Sequence, residues 1–150
     1  MNKIAIDLAK RFEGYSEKVY FCPAGIPSAG WGHAFQHGEK PIPLPPELAE
    51  IYLNKDLQGA ENALYRLSPL IIKETESRQA ALIDFIFNLG AGRYAISTLR
   101  KMVQALDWEA AKTQIVKWIF ATNPKTGKAG KLPGLILRRN TEAYLLGGTS

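Results

Sequence analysis

Residues 46–67 constrain the fold more than any other part of this chain. Pro45 and Pro46 suit the first turn of a helix, and Leu48, Ile51, Tyr52, Ala60, Leu64 and Leu67 then recur at roughly helical spacing. A helix of that length spans about 30 Å. It therefore crosses a domain and connects what lies before it to what lies after. Before it comes a Pro-rich link, Pro41 to Pro46, and a segment with five glycines from Gly14 to Gly38. A chain of 150 residues is the size of one domain with a sizeable core.

The flanking segments read differently from one another. Ile4, Leu8 and Phe12 place a short amphipathic helix over residues 2–12, with Asn2 as its cap and Gly14 at its end. Tyr15, Val19, Tyr20 and Phe21 are strand-compatible, and Pro23 to Pro27 is a turn. A small antiparallel sheet is predicted there. After the long helix, Leu82, Phe85, Ile86 and Leu89 form one helical stripe that Gly90 stops. Leu99, Met102, Val103 and Leu106 form another behind Ser97-Thr98. Asp107 caps a further helix with Ala111, Ile115, Trp118 and Ile119 on its inner face. Residues 121–132 read as a basic loop, and Pro133-Gly134 opens a last helix that Gly147-Gly148 ends. The predicted class is α+β, a small sheet lobe joined to a helical lobe with a cleft between.

Composition narrows the function classes. One Cys excludes an intramolecular disulfide and a Cys-based zinc site. No secretory apolar segment and no stretch of 18 apolar residues is visible, so neither an export signal nor stable membrane insertion is expected. The net charge of +5 favours polyanions such as nucleic acid, anionic lipid or an anionic cell wall. The Lys125–Lys131 segment contains Thr126-Gly127-Lys128, but the glycine-rich context of a phosphate loop is missing. The charges also lack a recognition-helix pattern, so nucleic acid is not expected as a partner.

The residues that carry chemistry lie early. Glu13 falls at the last turn of the first helix, where a carboxylate faces the negative end of the dipole. That placement favours the protonated form a general acid needs, unless a cation compensates. Cys22 sits beside Pro23 in a turn and can seat or polarise a water. A free thiol is otherwise a small hydrophobe. Ser28 offers a hydroxyl and His33 an imidazole, each with an ordinary structural use as the alternative. Glu17 and Glu39 are the other acids nearby.

These residues resemble the phage lysozymes, the endolysin muramidases of glycoside hydrolase family 24. The family signature is Glu, eight residues, Asp or Cys, five residues, Thr; here it reads Glu13, Cys22, Ser28. Gly30-Trp31-Gly32-His33 stands where the family usually has Gly-Tyr-Gly-His. The resemblance continues through Asp56-Leu57, Arg78 to Leu82, Phe87-Asn88-Leu89-Gly90, Ser97-Thr98-Leu99, Leu132 to Leu135 and Arg138-Arg139. It implies a single lysozyme-like domain over 1–150, with a β-rich lobe at about 13–45 and a helical lobe at about 60–150 that includes the first helix.

The resemblance also implies roles. Glu13 is the general acid, and Cys22 and Ser28 hold the attacking water. Asn88 lines the cleft, with Tyr20 and His33 as further sugar contacts, and Arg138 or Arg139 supplies the cation near Glu13. Ser28 departs from the family by lacking the β-branch that stiffens Thr. The implied reaction is hydrolysis, with inversion, of the β-1,4 bond between N-acetylmuramic acid and N-acetylglucosamine in bacterial peptidoglycan. No cofactor or metal is implied. The implied protein is a monomer that accumulates in the host cytoplasm and reaches the periplasmic wall through a holin lesion. A lytic transglycosylase and a non-catalytic peptidoglycan-binding module are the rival readings.

Overall fold

The computed structural model describes residues 1–122, 129–131 and 133–148. The fold is α+β. Helix α1, Lys3–Glu13, begins where the Asn2 side chain accepts a hydrogen bond from the Ala5 amide, 3.1 Å. It ends at Gly14, whose φ of 69° takes the chain out of the helix at no steric cost. Three short strands follow, β1 Ser16–Phe21, β2 Pro27–Gly30 and β3 His33–Ala34, paired antiparallel in that order. Ser28 lies opposite Tyr20. A sheet this small cannot stand alone. It closes over Ala29, Phe35, Leu44 and Ala49, and Trp31 packs against both this cluster and the main core.

Helix α2, Pro46–Leu67, has the bounds its sequence predicts. Its buried stripe is Ala49, Leu53, Leu57, Ala60, Ala63 and Leu64. Ile51, expected among the inner positions, is 55% exposed. It lies about 200° around the helix from Ala49, on the solvent side. A short 3-10 helix, Pro69–Lys73, turns the chain into α3, Glu76–Leu89. Residues 80–86 of α3 are all buried, because α1, α2 and α7 pack around it. This is the central helix of the domain.

The remaining helices are α4 Ala91–Ala95, α5 Thr98–Gln104, α6 Trp108–Ile115 and α7 Pro133–Leu146. Helix α4 has no counterpart in the sequence reading, since five residues carry neither a cap nor a periodic stripe. Tertiary burial of Tyr94, whose hydroxyl meets Ser68 Oγ at 2.7 Å, holds it in place. The apolar stripes of α5 and α6 also run past the helices. Leu106 has φ 56° and is exposed, because the chain turns there so that Asp107 can cap α6. Trp118 and Ile119 lie beyond the end of α6, although Trp118 still packs edge-on against Phe85, at 5.6 Å. The segment 121–132, expected as a loop throughout, instead carries an antiparallel two-stranded pair, β4 Phe120–Thr122 and β5 Ala129–Lys131, formed by cross-strand pairing that no local pattern marks. Residues 123–128 and 132 of that segment lie outside the described residues. Among the described residues, no helix is long and apolar enough to cross a membrane.

Candidate active site

A cleft of about 250 Å³ separates the sheet from the helices. Gly32, Ala34 and Gln36 form one wall; Asp56, Gly59, Ala60 and Ala63 of α2 form its floor; Ile86, Phe87 and Ala91 close the other side. Small residues on one face of α2 leave the space. Glu13 projects from the end of α1 against the Gly32 wall, its side chain 20% exposed.

Two contacts orient the Glu13 carboxyl group. Its Oε2 is paired with the Arg138 guanidinium, and its Oε1 lies against Gly32. A Cβ built on Gly32 would stand 2.7 Å from Cδ and Cγ of Glu13 and closer still to Oε1. Arg138 is almost fully buried and bonds Asp84 through two parallel hydrogen bonds, Nε to Oδ2 and Nη2 to Oδ1, each 2.8 Å. Burial opposes the charge on Arg138. The Asp84 and Glu13 carboxylates outweigh it and raise the arginine above its usual range. Asp84 is itself held below the usual carboxylate range: burial pushes it up, and its paired bonds to the Arg138 guanidinium overcome that. Of the two arginines expected near Glu13, Arg138 makes the contact. Arg139 turns away, its Nη2 donating to Asn88 Oδ1 at 2.8 Å and to Glu142 Oε2 at 3.1 Å. The two are adjacent on α7, so about 100° of helical rotation separates their directions.

Tyr20 lies near Glu13 and Cys22. Its phenol is raised above 10.0 by burial first, and then by the charges of Glu13 and Cys22. Cys22 begins a tight turn in which the Gly25 amide donates to the Cys22 carbonyl, 2.8 Å. The carbonyl of Ile26 then accepts from the Cys22 amide at 3.0 Å and from the Ser28 hydroxyl at 3.1 Å. One carbonyl thus ties the two water-holding candidates together. The Cys22 thiol is half-buried, and Ser28 is buried. With its hydrogen given to Ile26, the Ser28 oxygen has lone pairs left to accept.

His33, expected as a sugar contact, has a partner on each side of its ring. Its Nδ1 meets Asp56 Oδ2 at 2.7 Å and its Nε2 meets Glu39 Oε2 at 3.0 Å, so both ring nitrogens are engaged. The ring packs edge-on against Phe35 and Tyr52. This is a clamp between the sheet and α2. Burial would lower the His33 pKa below 6.5, but the bonds and charges of Asp56 and Glu39 raise it overall. Glu39 is lowered, first by the Gln36 amide and then by His33, with partial burial opposing.

A raised histidine stabilises the fold fully below its unfolded value of 6.5 and loses that contribution as pH rises through its folded pKa. A lowered glutamate contributes above its usual 4.5 and loses that contribution as pH falls through its folded pKa. The clamp is therefore strongest between about pH 4.5 and 6.5. His33→Asn should cost about 1–2 kcal/mol in that window and progressively less at higher pH. Thermal melts of both proteins across pH 5–9 check this, and a pH-independent difference contradicts it.

Some site residues escape motif reading. Gly32 was visible only as part of Gly30-Trp31-Gly32-His33, and its close approach to Glu13 is a tertiary fact. Asp84 leaves a trace, a single charge inside the apolar run Ala80–Phe87. Glu142 leaves a weaker one, spaced i,i+3 from Arg139. Among the described residues, no group of His, Cys, Asp and Glu could hold a metal ion.

Comparison with known proteins places this geometry. The family model described as phage lysozyme matches residues 10–142. An endolysin of Acyrthosiphon pisum secondary endosymbiont phage 1 is 32% identical over 138 residues, covering 92% of this chain and 91% of its own length. The endolysin of Salmonella phage P22 is 30% identical over 141 residues, covering 91% and 90% respectively. Among solved structures, the endolysin from Escherichia coli O157:H7 phage FAHEc1 superposes with a TM-score of 0.83 at 27% identity, over 96% of this chain and 90% of that one. The muramidase domain of SpmX from Asticaccaulis excentricus gives 0.80 at 27% identity, over 95% and 93%. The chain belongs to the phage lysozyme family.

Proposed function

We propose that this chain, an endolysin acting on bacterial peptidoglycan, hydrolyses the β-1,4 bond between N-acetylmuramic acid and N-acetylglucosamine with Glu13 as general acid. The observation that carries the reading is the division of labour within one carboxyl group. Oε2 is anchored by Arg138, and Oε1 faces the cleft wall at Gly32. Because Asp84 already balances the Arg138 charge, Glu13 is not required to be ionised to satisfy it. Oε1 is then the oxygen that carries the proton to the leaving group as an oxocarbenium-like state develops.

Water, seated by the Cys22 thiol and donating a hydrogen bond to the Ser28 oxygen, attacks from the opposite face; the anomeric centre inverts, and the proton that the water loses passes to solvent. Asn88 contributes a sugar contact from the helical side. Its Oδ1 is taken by Arg139, which leaves its amide hydrogens to donate. No cofactor takes part. The protein acts as a monomer, gathers in the host cytoplasm and reaches the periplasmic wall through a holin-type lesion.

Mass spectrometry of released muropeptides tests the reaction. Reducing N-acetylmuramic acid ends are expected; anhydro-muramic ends would make it a transglycosylase. The water site has its own test, read by clearing of permeabilised Gram-negative cells. Cys22→Ala or alkylation of Cys22 should lower kcat about 10- to 100-fold, as expected for a misplaced reactant. Cys22→Asp should retain activity, since the family signature admits both residues. Full activity of Cys22→Ala removes the thiol from the mechanism.

A further inference from the structure

The positive charge of this chain is concentrated in two segments. Residues 66–73 and 93–101 together carry five cations, Arg66, Lys73, Arg93, Arg100 and Lys101, and no acid. Five is also the net charge of the whole chain. Packing brings the two segments to one end of the helical lobe. The Arg100 guanidinium joins them, donating from Nε to the Leu67 carbonyl at 2.9 Å and from Nη1 to the Ala95 carbonyl at 3.0 Å. Ser68 Oγ and the Tyr94 hydroxyl meet beneath, at 2.7 Å. Arg66, Lys73, Arg93 and Lys101 are exposed, and among the described residues none of the four pairs with a carboxylate. Glu74, the next acid along the chain, is taken by Arg78.

The same end is apolar as well as basic. Ile71 points inward and pins the short 3-10 helix, with 1% of its surface exposed. Its neighbours Leu70 and Ile72 stand outward at 51% and 62%, and Ile96, across the Arg100 bridge, is 84% exposed. A single exposed aliphatic side chain is ordinary on a protein surface. Three of them around one acid-free basic tip, held on a hydrogen-bonded frame, mark an interaction surface.

We propose that this tip docks on an anionic lipid bilayer. Charge complementarity selects a polyanion. The aliphatic side chains then select among polyanions. A glycan strand and a nucleic-acid backbone are polar, and neither offers a layer in which Leu70, Ile72 and Ile96 can be buried. A bilayer with acidic headgroups supplies the charge and, just beneath it, the apolar layer. The contact is peripheral and reversible, and it needs no membrane span. None of the tip residues lines the cleft, so this surface is separate from the reaction site. On the route proposed above, such a contact holds the enzyme at the inner membrane until a lesion opens. The inference goes beyond the hydrolase reading and does not depend on it.

Sedimentation of the full chain with lipid vesicles tests this. Wild type should pellet with vesicles of equimolar phosphatidylcholine and phosphatidylglycerol at low salt, and far less with phosphatidylcholine alone. Added salt should release it. The triple variant Leu70→Ser, Ile72→Ser, Ile96→Ser changes exposed positions only, so the fold should hold. Its binding should fall about 10-fold or more, as should that of Lys73→Glu with Lys101→Glu. Lys18→Glu with Lys40→Glu is the control. It makes the same charge change at exposed positions of the sheet lobe and should keep most of the binding. The proposal is overturned by no pelleting with the acidic vesicles, by equal pelleting with the neutral ones, by wild-type binding of either tip variant, or by an equal loss in the control. The triple variant should also keep the wild-type rate on purified peptidoglycan, where no lipid is present. A lowered rate there would assign the tip to the wall and overturn the proposal as well. The vesicle readout needs no turnover, so a failure of the hydrolase reading leaves it able to judge the tip.

Discussion

Glu13→Gln is expected to lower cell-wall hydrolysis by about 10²–10⁴-fold, the range that a positioned general acid contributes. The fold should survive. The substitution keeps the shape of the side chain and an oxygen for Arg138. The arginine also retains both bonds to Asp84, so no buried cation is left unpaired. A melting temperature within a few degrees of wild type, alongside lost release of muropeptides, separates chemistry from stability. Wild-type turnover by Glu13→Gln would remove Glu13 from the mechanism, and with it the proposed reaction.

Gly32→Ala should produce the second largest effect, from a single added methyl group. Two independent penalties act. The φ of Gly32 is 74°, a left-handed conformation that costs a residue with a Cβ about 1–2 kcal/mol. The new Cβ would also fall 2.7 Å from Cδ of Glu13, so the carboxyl group must move. Displacement of a reacting group by about 1 Å can cost about 100-fold in rate. The expected result is a drop in melting temperature together with a kcat loss of that order. Gly38→Ala is the control, since Gly38 shares a positive φ of 88° but has nothing within 4 Å of its Cβ position. The control should lose stability and keep kcat. Equal kcat for the two variants would mean that contact with Gly32 does not matter to Glu13.

Local rules account for much of this protein. The bounds of α2 follow from Pro45-Pro46 and the spacing of its apolar residues. Gly14 and Gly90 end α1 and α3 because each holds a positive φ. Asn2, Ser97 and Asp107 cap the helices that they precede. In each case the determinant lies within a few residues of its effect. The spacing of Glu13, Cys22 and Ser28 is legible for the same reason, as one helix end and one short hairpin carry all three.

What the chain alone leaves open is decided by contacts between distant residues. Nothing near Glu13 says that residue 138 will reach it, or that Arg138 rather than Arg139 will do so; the rotation of α7 against α3 settles that choice. His33 sits in the motif where a sugar contact is expected, yet Asp56 on α2 and Glu39 engage its ring on both sides. Ile51 fits the apolar pattern and faces solvent, because the packed stripe of α2 is narrower than the pattern. The sequence by itself determined the longer helices, the caps that start them and the order of the chemical groups. Tertiary packing decided which charges are paired, which oxygen of Glu13 Arg138 holds and how closely Gly32 approaches the other. Electrostatic balance and steric approach depend on distances across the core, and those exist only once the helices have packed.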